Sequence, residues 1–146
     1  MKTILIPVDG SEYSTRAIEK GKELVKAFDS NVILINVIHP TYPIYSFGHN
    51  VAPILNIDQL NQDIRKISEE ILDAAIKLFG PKTDKIKGFT LEGDPSNAII
   101  DYANSNEIDL VIMGSHGLGA VVNRMLMGSV TNKVLHHVKT PVMVVK

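Results

Sequence analysis

Short continuous runs of apolar residues alternate with longer amphipathic stretches along the whole chain. A run that is apolar at every position is typical of a parallel strand, because helices cover both faces of such a sheet. Four such runs predict strands at residues 4–6, 32–37, 110–113 and 142–145, and a weaker pattern at residues 86–91 predicts a fifth. The alternation of strands with helical patterns therefore predicts an α/β fold built on a parallel sheet.

Four amphipathic patterns separate the predicted strands. The first begins near Ser11 to Ser14, whose hydroxyls can cap a helix, and the third begins at Asp94 and Pro95. The fourth begins at Ser129. The second is the longest, and its apolar positions form one stripe: Ile57, Leu60, Ile64, Ile67, Ile71, Ala74 and Leu78. We expect this stripe to pack against the sheet, as in other amphipathic helices.

Polar residues follow two of the predicted strands directly. The first strand ends at Pro7-Val8-Asp9 and the fourth ends at Gly114. A reversal of winding makes these two strands neighbours and gives the order 3-2-1-4-5 with right-handed crossovers. The sequence thus predicts a single domain over residues 1–146, an open doubly wound five-stranded parallel sheet of Rossmann-like type. Asp9 would face the glycine turn across the crevice that opens at this reversal.

The turn Met113-Gly114-Ser115-His116-Gly117 follows a strand, and Gly128-Ser129 stands at the head of the last helical pattern. Glycine lets backbone N–H groups approach an anion, and a helix N-terminus offers unpaired donors, so the pair predicts a phosphate site. The alternative is a glycine turn that only ends a strand. A phosphate site of this kind predicts a nucleotide as ligand. For Asp9 we then consider three roles: accepting hydrogen bonds from ribose hydroxyls, binding Mg²⁺ that neutralises phosphates, and capping the first helix.

Composition narrows the classes of partner. The chain has 146 residues and a formal net charge of −1, and its basic residues are scattered, so we expect no nucleic acid and no membrane partner. It has no cysteine, which excludes disulfides, a thiolate zinc site and a cysteine nucleophile. No apolar stretch is long enough for a signal peptide or a membrane span, and we therefore expect a cytoplasmic protein.

The stretch from His39 to Asn56 fits neither a helical nor a strand period and carries three prolines. A loop of this length inside a compact domain is usually functional or mobile. We consider two roles for it: a lid over the glycine turn, or an aromatic-bearing segment that packs on the core or in a dimer contact.

Motifs along the whole chain resemble those of the universal stress protein family: Pro7-Val8-Asp9-Gly10-Ser11, Gly93-Asp94-Pro95, Met113-Gly114-Ser115-His116-Gly117, Gly128-Ser129-Val130-Thr131 and Pro141-Val142-Met143-Val144-Val145. The ATP-binding branch of that family carries Gly-x-x-Gly, nine residues, then Gly and Ser or Thr. Gly114, Gly117, Gly128 and Ser129 match it. The spacer from Leu118 to Met127 has ten residues, one more than the pattern. The resemblance implies the fold of adenine nucleotide alpha hydrolases.

What the resemblance implies for single residues falls into two groups. It assigns the base and the ribose to one group: Pro7, Val8, Asp9, Val37 and Met113. It assigns the phosphates to a second group, mainly through backbone N–H donors: Gly114, Ser115, His116, Gly117, Gly128, Ser129 and Val130. The implied cofactor is ATP, or AMP or ADP, with Mg²⁺ bound through the phosphates and Asp9. The resemblance also implies a homodimer through the last strand, from Val142 to Lys146.

We therefore expect a cytoplasmic stress-response protein that binds ATP and acts as a nucleotide-dependent switch or sensor. The sequence shows no group that would stabilise a phosphoryl-transfer transition state, which favours binding over catalysis, with at most weak ATP hydrolysis. Two alternatives stay open. One is a dimeric interaction module that binds no nucleotide. The other is a transferase that uses ATP as substrate, with the loop from His39 to Asn56 as acceptor pocket.

Overall fold

The computed structural model describes residues 2–40, 56–80, 84–118 and 127–146. The elements in chain order are β1 (Thr3–Pro7), α1 (Glu12–Phe28), β2 (Asn31–Ile38), α2 (Ile57–Leu78), β3 (Ile86–Glu92), α3 (Pro95–Ser105), β4 (Leu110–Gly114), α4 (Ser129–His137) and β5 (Val142–Val145). All five strands are parallel and lie in the order β3-β2-β1-β4-β5. The predicted fold class and strand order are confirmed.

Helices cover both faces of the sheet, and β1 shows why its sequence is apolar throughout. Ile4 and Ile6 pack with residues of α1 and α2, while Leu5 between them packs with residues of α3 and α4. All three side chains are fully buried, because successive residues of a strand point to opposite faces. A polar residue at any of these positions would lie in one of the two cores.

Side-chain caps fix where α1 and α3 begin. The Ser11 hydroxyl accepts a hydrogen bond from the Ser14 N–H at 3.1 Å, and an Asp94 carboxylate oxygen accepts one from the Asn97 N–H at 2.9 Å. The Ser96 hydroxyl also donates to Asp94, and these bonds hold the pKa of that carboxyl below its usual value. Both helices start beside the carboxyl edge of the sheet, where they border the site described below.

Helix α2 packs on the sheet with a different face from the predicted one. Its buried residues are Ser68, Leu72 and Ala75, and the Ser68 hydroxyl lies 2.7 Å from the Thr90 hydroxyl on β3. Within the predicted stripe, Leu60, Ile67 and Leu78 are each more than a third exposed. The expectation that the whole stripe packs on the sheet is therefore wrong. A hydroxyl that has a hydrogen-bond partner, as Ser68 has in the half-buried Thr90, costs little to bury, and an apolar pattern does not reveal it.

Two expectations fall on segments that the structure does not describe. Residues 41–55 make up most of the stretch from His39 to Asn56, and its role as a lid or an interface lies outside the described residues. The same holds for how the spacer from Leu118 to Met127 absorbs its extra residue, because residues 119–126 are not described. None of the helices in the described ranges is long and apolar enough to cross a membrane.

Candidate functional site

A cavity of about 370 Å³ opens at the carboxyl ends of β1, β2 and β4, next to the N-terminus of α4. Parallel sheets bind ligands at this edge, where two neighbouring loops diverge. Eleven of the twelve expected site residues line the cavity: Pro7, Val8, Asp9, Val37, Met113, Gly114, His116, Gly117, Gly128, Ser129 and Val130. The fold thus brings together residues that lie more than a hundred positions apart in the chain.

Ser115 is the expected residue that does not line the cavity. Its N–H donates to the Val145 carbonyl at 2.7 Å, and its own carbonyl accepts from the Gly128 N–H at 2.8 Å. Both groups are therefore used within the protein, and neither the Ser115 N–H nor the Gly128 N–H is available to a ligand in this conformation. The Ser115 hydroxyl lies 3.0 Å from Nδ1 of His116, so its part in the site is to hold neighbouring groups.

Asp9 joins the end of β1 to the glycine turn. One carboxylate oxygen accepts from the Ser11 N–H at 3.0 Å, and the other accepts from the Leu118 N–H, also at 3.0 Å. Ser11, and not Asp9, is the N-cap of α1, so the capping role considered for Asp9 belongs to its neighbour. A Cβ added at Gly117 would lie 2.7 Å from the second Asp9 oxygen. Glycine at that position is what lets the carboxylate reach the turn.

The N-terminus of α4 supplies backbone donors where it borders the cavity. Gly128 is its N-cap, with no side-chain hydrogen bond, and the Gly128 carbonyl accepts from the Asn132 N–H at 2.9 Å. The N–H groups of Ser129, Val130 and Thr131 lie in the first turn, where no carbonyl of the same helix can accept them. Three such donors and the positive end of the helix dipole make this part of the cavity suited to an anion.

Two polar residues that were not expected from the sequence support the cavity. The buried Asn36 side chain donates from Nδ2 to the Val8 carbonyl at 2.7 Å, and the buried Thr131 hydroxyl donates to the Gly114 carbonyl at 2.8 Å. The sequence pattern could have pointed to both, since Asn36 is the one polar residue in an apolar run and Thr131 directly follows an expected site residue. The other lining residues missed from sequence are Ser14, Ile35, Pro95, Ile99 and Leu118.

The charges at the cavity are few. Of the described lining residues, Asp9 and His116 carry the ionisable side chains. The His116 ring lies tilted against the Tyr13 ring, with 5.1 Å between centroids. The described ranges hold no cluster of three or more His, Asp or Glu side chains that could bind a metal ion. Among the described lining residues Asp9 is the one that offers carboxylate oxygens to Mg²⁺, and such an ion would need the phosphates of a ligand for most of its coordination.

The chain is similar to known proteins, and this similarity shows its family. The whole chain, residues 1–146, matches the model of the universal stress protein family. The chain belongs to that family. Universal stress protein MJ0531 of Methanocaldococcus jannaschii is 30% identical over 99% of this chain and 82% of its own length.

Solved structures agree with the fold. A structure of MJ0577, a universal stress protein of the same archaeon, superposes with a TM-score of 0.82 at 27% identity and covers 99% of this chain and 95% of its own. A universal stress protein in complex with cAMP superposes with a TM-score of 0.66 at 26% identity, again over 99% and 95%. Relatives of this universal stress protein thus include one whose structure holds an adenine nucleotide.

Proposed function

We propose that this universal stress protein binds an adenine nucleotide in the cavity, with ATP as its ligand, and that it acts in the cytoplasm as a nucleotide-dependent switch in a stress response. The observation that carries the proposal is the lining of the cavity, which combines apolar side chains, the Asp9 carboxylate and the N-terminus of a helix. These three kinds of group suit the base, the ribose and the phosphates of a nucleotide.

Each part of the ligand has a group suited to it. Val37 and Met113 offer apolar surface to the base, and the backbone of Val37, near the end of β2, would read the edge of adenine. Asp9 would accept hydrogen bonds from ribose hydroxyls or hold Mg²⁺ together with the phosphates. The first-turn N–H groups of α4 and the Ser129 hydroxyl would donate to the phosphates.

The link between Asp9 and Leu118 supports a switch. A ligand that bonds to the Asp9 carboxylate competes with the Leu118 N–H for the same oxygen, which now accepts at 3.0 Å. Binding would then change how the chain after Gly117 is held. A ligand shifts a conformational equilibrium only when it binds the two states with different affinity, and this competition provides such a difference.

The direct test is calorimetric titration of the purified protein, stripped of nucleotide, with ATP, ADP and AMP, each with and without Mg²⁺. We expect saturable binding of ATP, tighter with Mg²⁺ because the ion neutralises phosphates beside Asp9. Binding of AMP with the same affinity as ATP would show that the N-terminus of α4 does not contact the outer phosphates. If no adenine nucleotide bound, the protein would be a nucleotide-free interaction module, and the proposal would be wrong.

A homodimer through the last strand is part of the same proposal. β5 pairs with β4 alone among the described strands, so its outer edge presents apolar residues and backbone groups for pairing with a second copy. We expect the substitution Val144→Glu to place a charge at that edge and to abolish pairing through it. Sedimentation equilibrium measures the loss as a halved mass, and an unchanged mass would place the dimer contact elsewhere.

A further inference from the structure

The apolar stripe of α2 has the spacing of a coiled-coil seam. Its residues follow one another at alternating intervals of three and four: Ile57, Leu60, Ile64, Ile67, Ile71, Ala74 and Leu78. A sustained three-four alternation is the a/d pattern by which one helix packs against another helix of similar kind. We call these seven residues the α2 seam.

The residues that the structure describes leave much of the α2 seam exposed. Helix α2 packs on the sheet through Ser68, Leu72 and Ala75, which lie on a neighbouring face. Ile67 is 56% exposed, and Leu60 and Leu78 are also more than a third exposed. Large apolar side chains exposed along one line of a helix indicate a surface that binds another protein segment.

The α2 seam borders a groove beside α1. This groove has a volume of about 290 Å³, and residues of the seam line one wall while Thr15 and Ile18 of α1 line the other. Glu70 is the charged residue among the described residues that line it. A third helix whose apolar residues have matching spacing can pack into an apolar groove between two parallel helices.

We propose that the occupant is α2 of a second copy of this chain, packed antiparallel across a two-fold axis. In the antiparallel register that aligns the two seams, Leu60 faces the partner's Leu78, and Ile67 faces the partner's Ile71. The flanking positions then place Asp63 opposite the partner's Lys77, twice by symmetry, and each pair joins opposite charges.

The pairing of charged residues distinguishes the antiparallel arrangement from a parallel one. A parallel pair would set Asp63 and Glu70 opposite Ser68 and Ala75, so no opposite charges would meet. The antiparallel pair does place Glu70 beside the partner's Glu70 near the axis, and this repulsion limits its strength. Association through the α2 seam should therefore strengthen when Glu70 loses its charge.

The α2 seam and β5 lie on different parts of the surface. The seam belongs to the helices on one face of the sheet, whereas β5 is an edge strand. Two separate two-fold contacts on one chain build a closed tetramer of four copies when their axes cross at right angles. The two contacts can therefore be tested separately, and loss of one leaves a dimer held by the other.

The first experiment is sedimentation equilibrium of the full chain with Ile67→Lys, against Phe28→Lys as a matched control. The two side chains are equally exposed, at 56% and 55%, so each substitution adds a charge at little cost to the fold, but Phe28 lies on α1 outside the seam. We expect Ile67→Lys to halve the mass of the assembly and Phe28→Lys to leave it unchanged. Adding Val144→Glu to Ile67→Lys should then give a monomer.

The second experiment uses the absence of native cysteine. Glu70→Cys sets one thiol beside the two-fold axis and removes the repulsion there, whereas Glu69→Cys sets it on another face of the same helix. We expect a short bismaleimide to cross-link Glu70→Cys into dimers in the presence of Val144→Glu, and Glu69→Cys to stay monomeric on a denaturing gel.

Two results would overturn the proposal. One is an unchanged mass for Ile67→Lys together with equal cross-linking of the two cysteine variants. The other is a fall in melting temperature of Ile67→Lys with no change in mass, which would show that the seam is covered by a segment of the same chain. Neither result depends on nucleotide binding or on pairing through β5.

Discussion

Replacing Ser129 with glutamate is expected to lower the affinity for ATP by about tenfold or more while leaving the fold intact or slightly more stable. Ser129 is the first residue of α4 and is exposed at the cavity. A carboxylate in the first turn of a helix stabilises it by about 0.3–1 kcal/mol through the helix dipole. The same carboxylate would repel phosphates bound to the neighbouring N–H groups by roughly 1–4 kcal/mol.

The control for this prediction is Ser129→Gln, which has the size of glutamate without its charge. Calorimetric titration with ATP and urea unfolding of both variants separate the two effects. We expect glutamine to change affinity much less than glutamate does, and the affinity for adenosine, which has no phosphate, to be similar in both. Equal ATP affinity for the two variants would show that phosphates do not reach the N-terminus of α4.

The second large effect is expected at Gly114, and it concerns stability more than binding. A Cβ added there would lie 2.6 Å from Cβ of Tyr13 and 2.8 Å and 2.9 Å from its backbone carbon and oxygen. Backbone at the start of α1 must move to relieve such contacts, so Gly114→Ala should cost about 1–3 kcal/mol of unfolding free energy. Urea unfolding of the variant and the wild type measures this loss.

Gly21 provides the matched control. A Cβ there would lie 2.5 Å from Cδ1 of Ile6, which is the movable end of a side chain. Alanine also favours a helix interior by about 0.8–1 kcal/mol over glycine, and this offsets the repacking of Ile6. We therefore expect Gly21→Ala to be close to neutral. A Gly114→Ala variant as stable as Gly21→Ala would mean that α1 yields easily at its first turn.

Glycine is therefore needed at the three glycine positions of the matched motif for different physical reasons. Gly114 allows close packing of β4 against Tyr13, Gly117 leaves room for the Asp9 carboxylate, and Gly128 caps α4. The resemblance to the family assigned all three to the phosphates. A loss of nucleotide binding on substitution of Gly114 would consequently report a displaced helix, and substitutions at Ser129 test the phosphate contacts more directly.

The sheet, its strand order and eleven of the residues around the cavity were predictable from the sequence. Continuous apolar runs mark strands buried on both faces, as at Ile4, Leu5 and Ile6, and the rules of winding leave few orders for five parallel strands. Asp9 and the glycine turn follow strands that this order makes neighbours. Their meeting at one edge of the sheet is thus a consequence of topology.

The tertiary structure decided which atoms already have hydrogen-bond partners and which face of a helix is buried. The sequence could not show that the Ser115 N–H is used by Val145, because that bond joins β4 to β5 across the sheet. Nor could it show that Ser68 would be buried in place of Ile67, since burying a hydroxyl costs little only where a hydrogen-bond partner such as Thr90 lies nearby. Apolar patterns record how much surface a chain must bury, whereas hydrogen-bond partners depend on which elements the fold brings side by side.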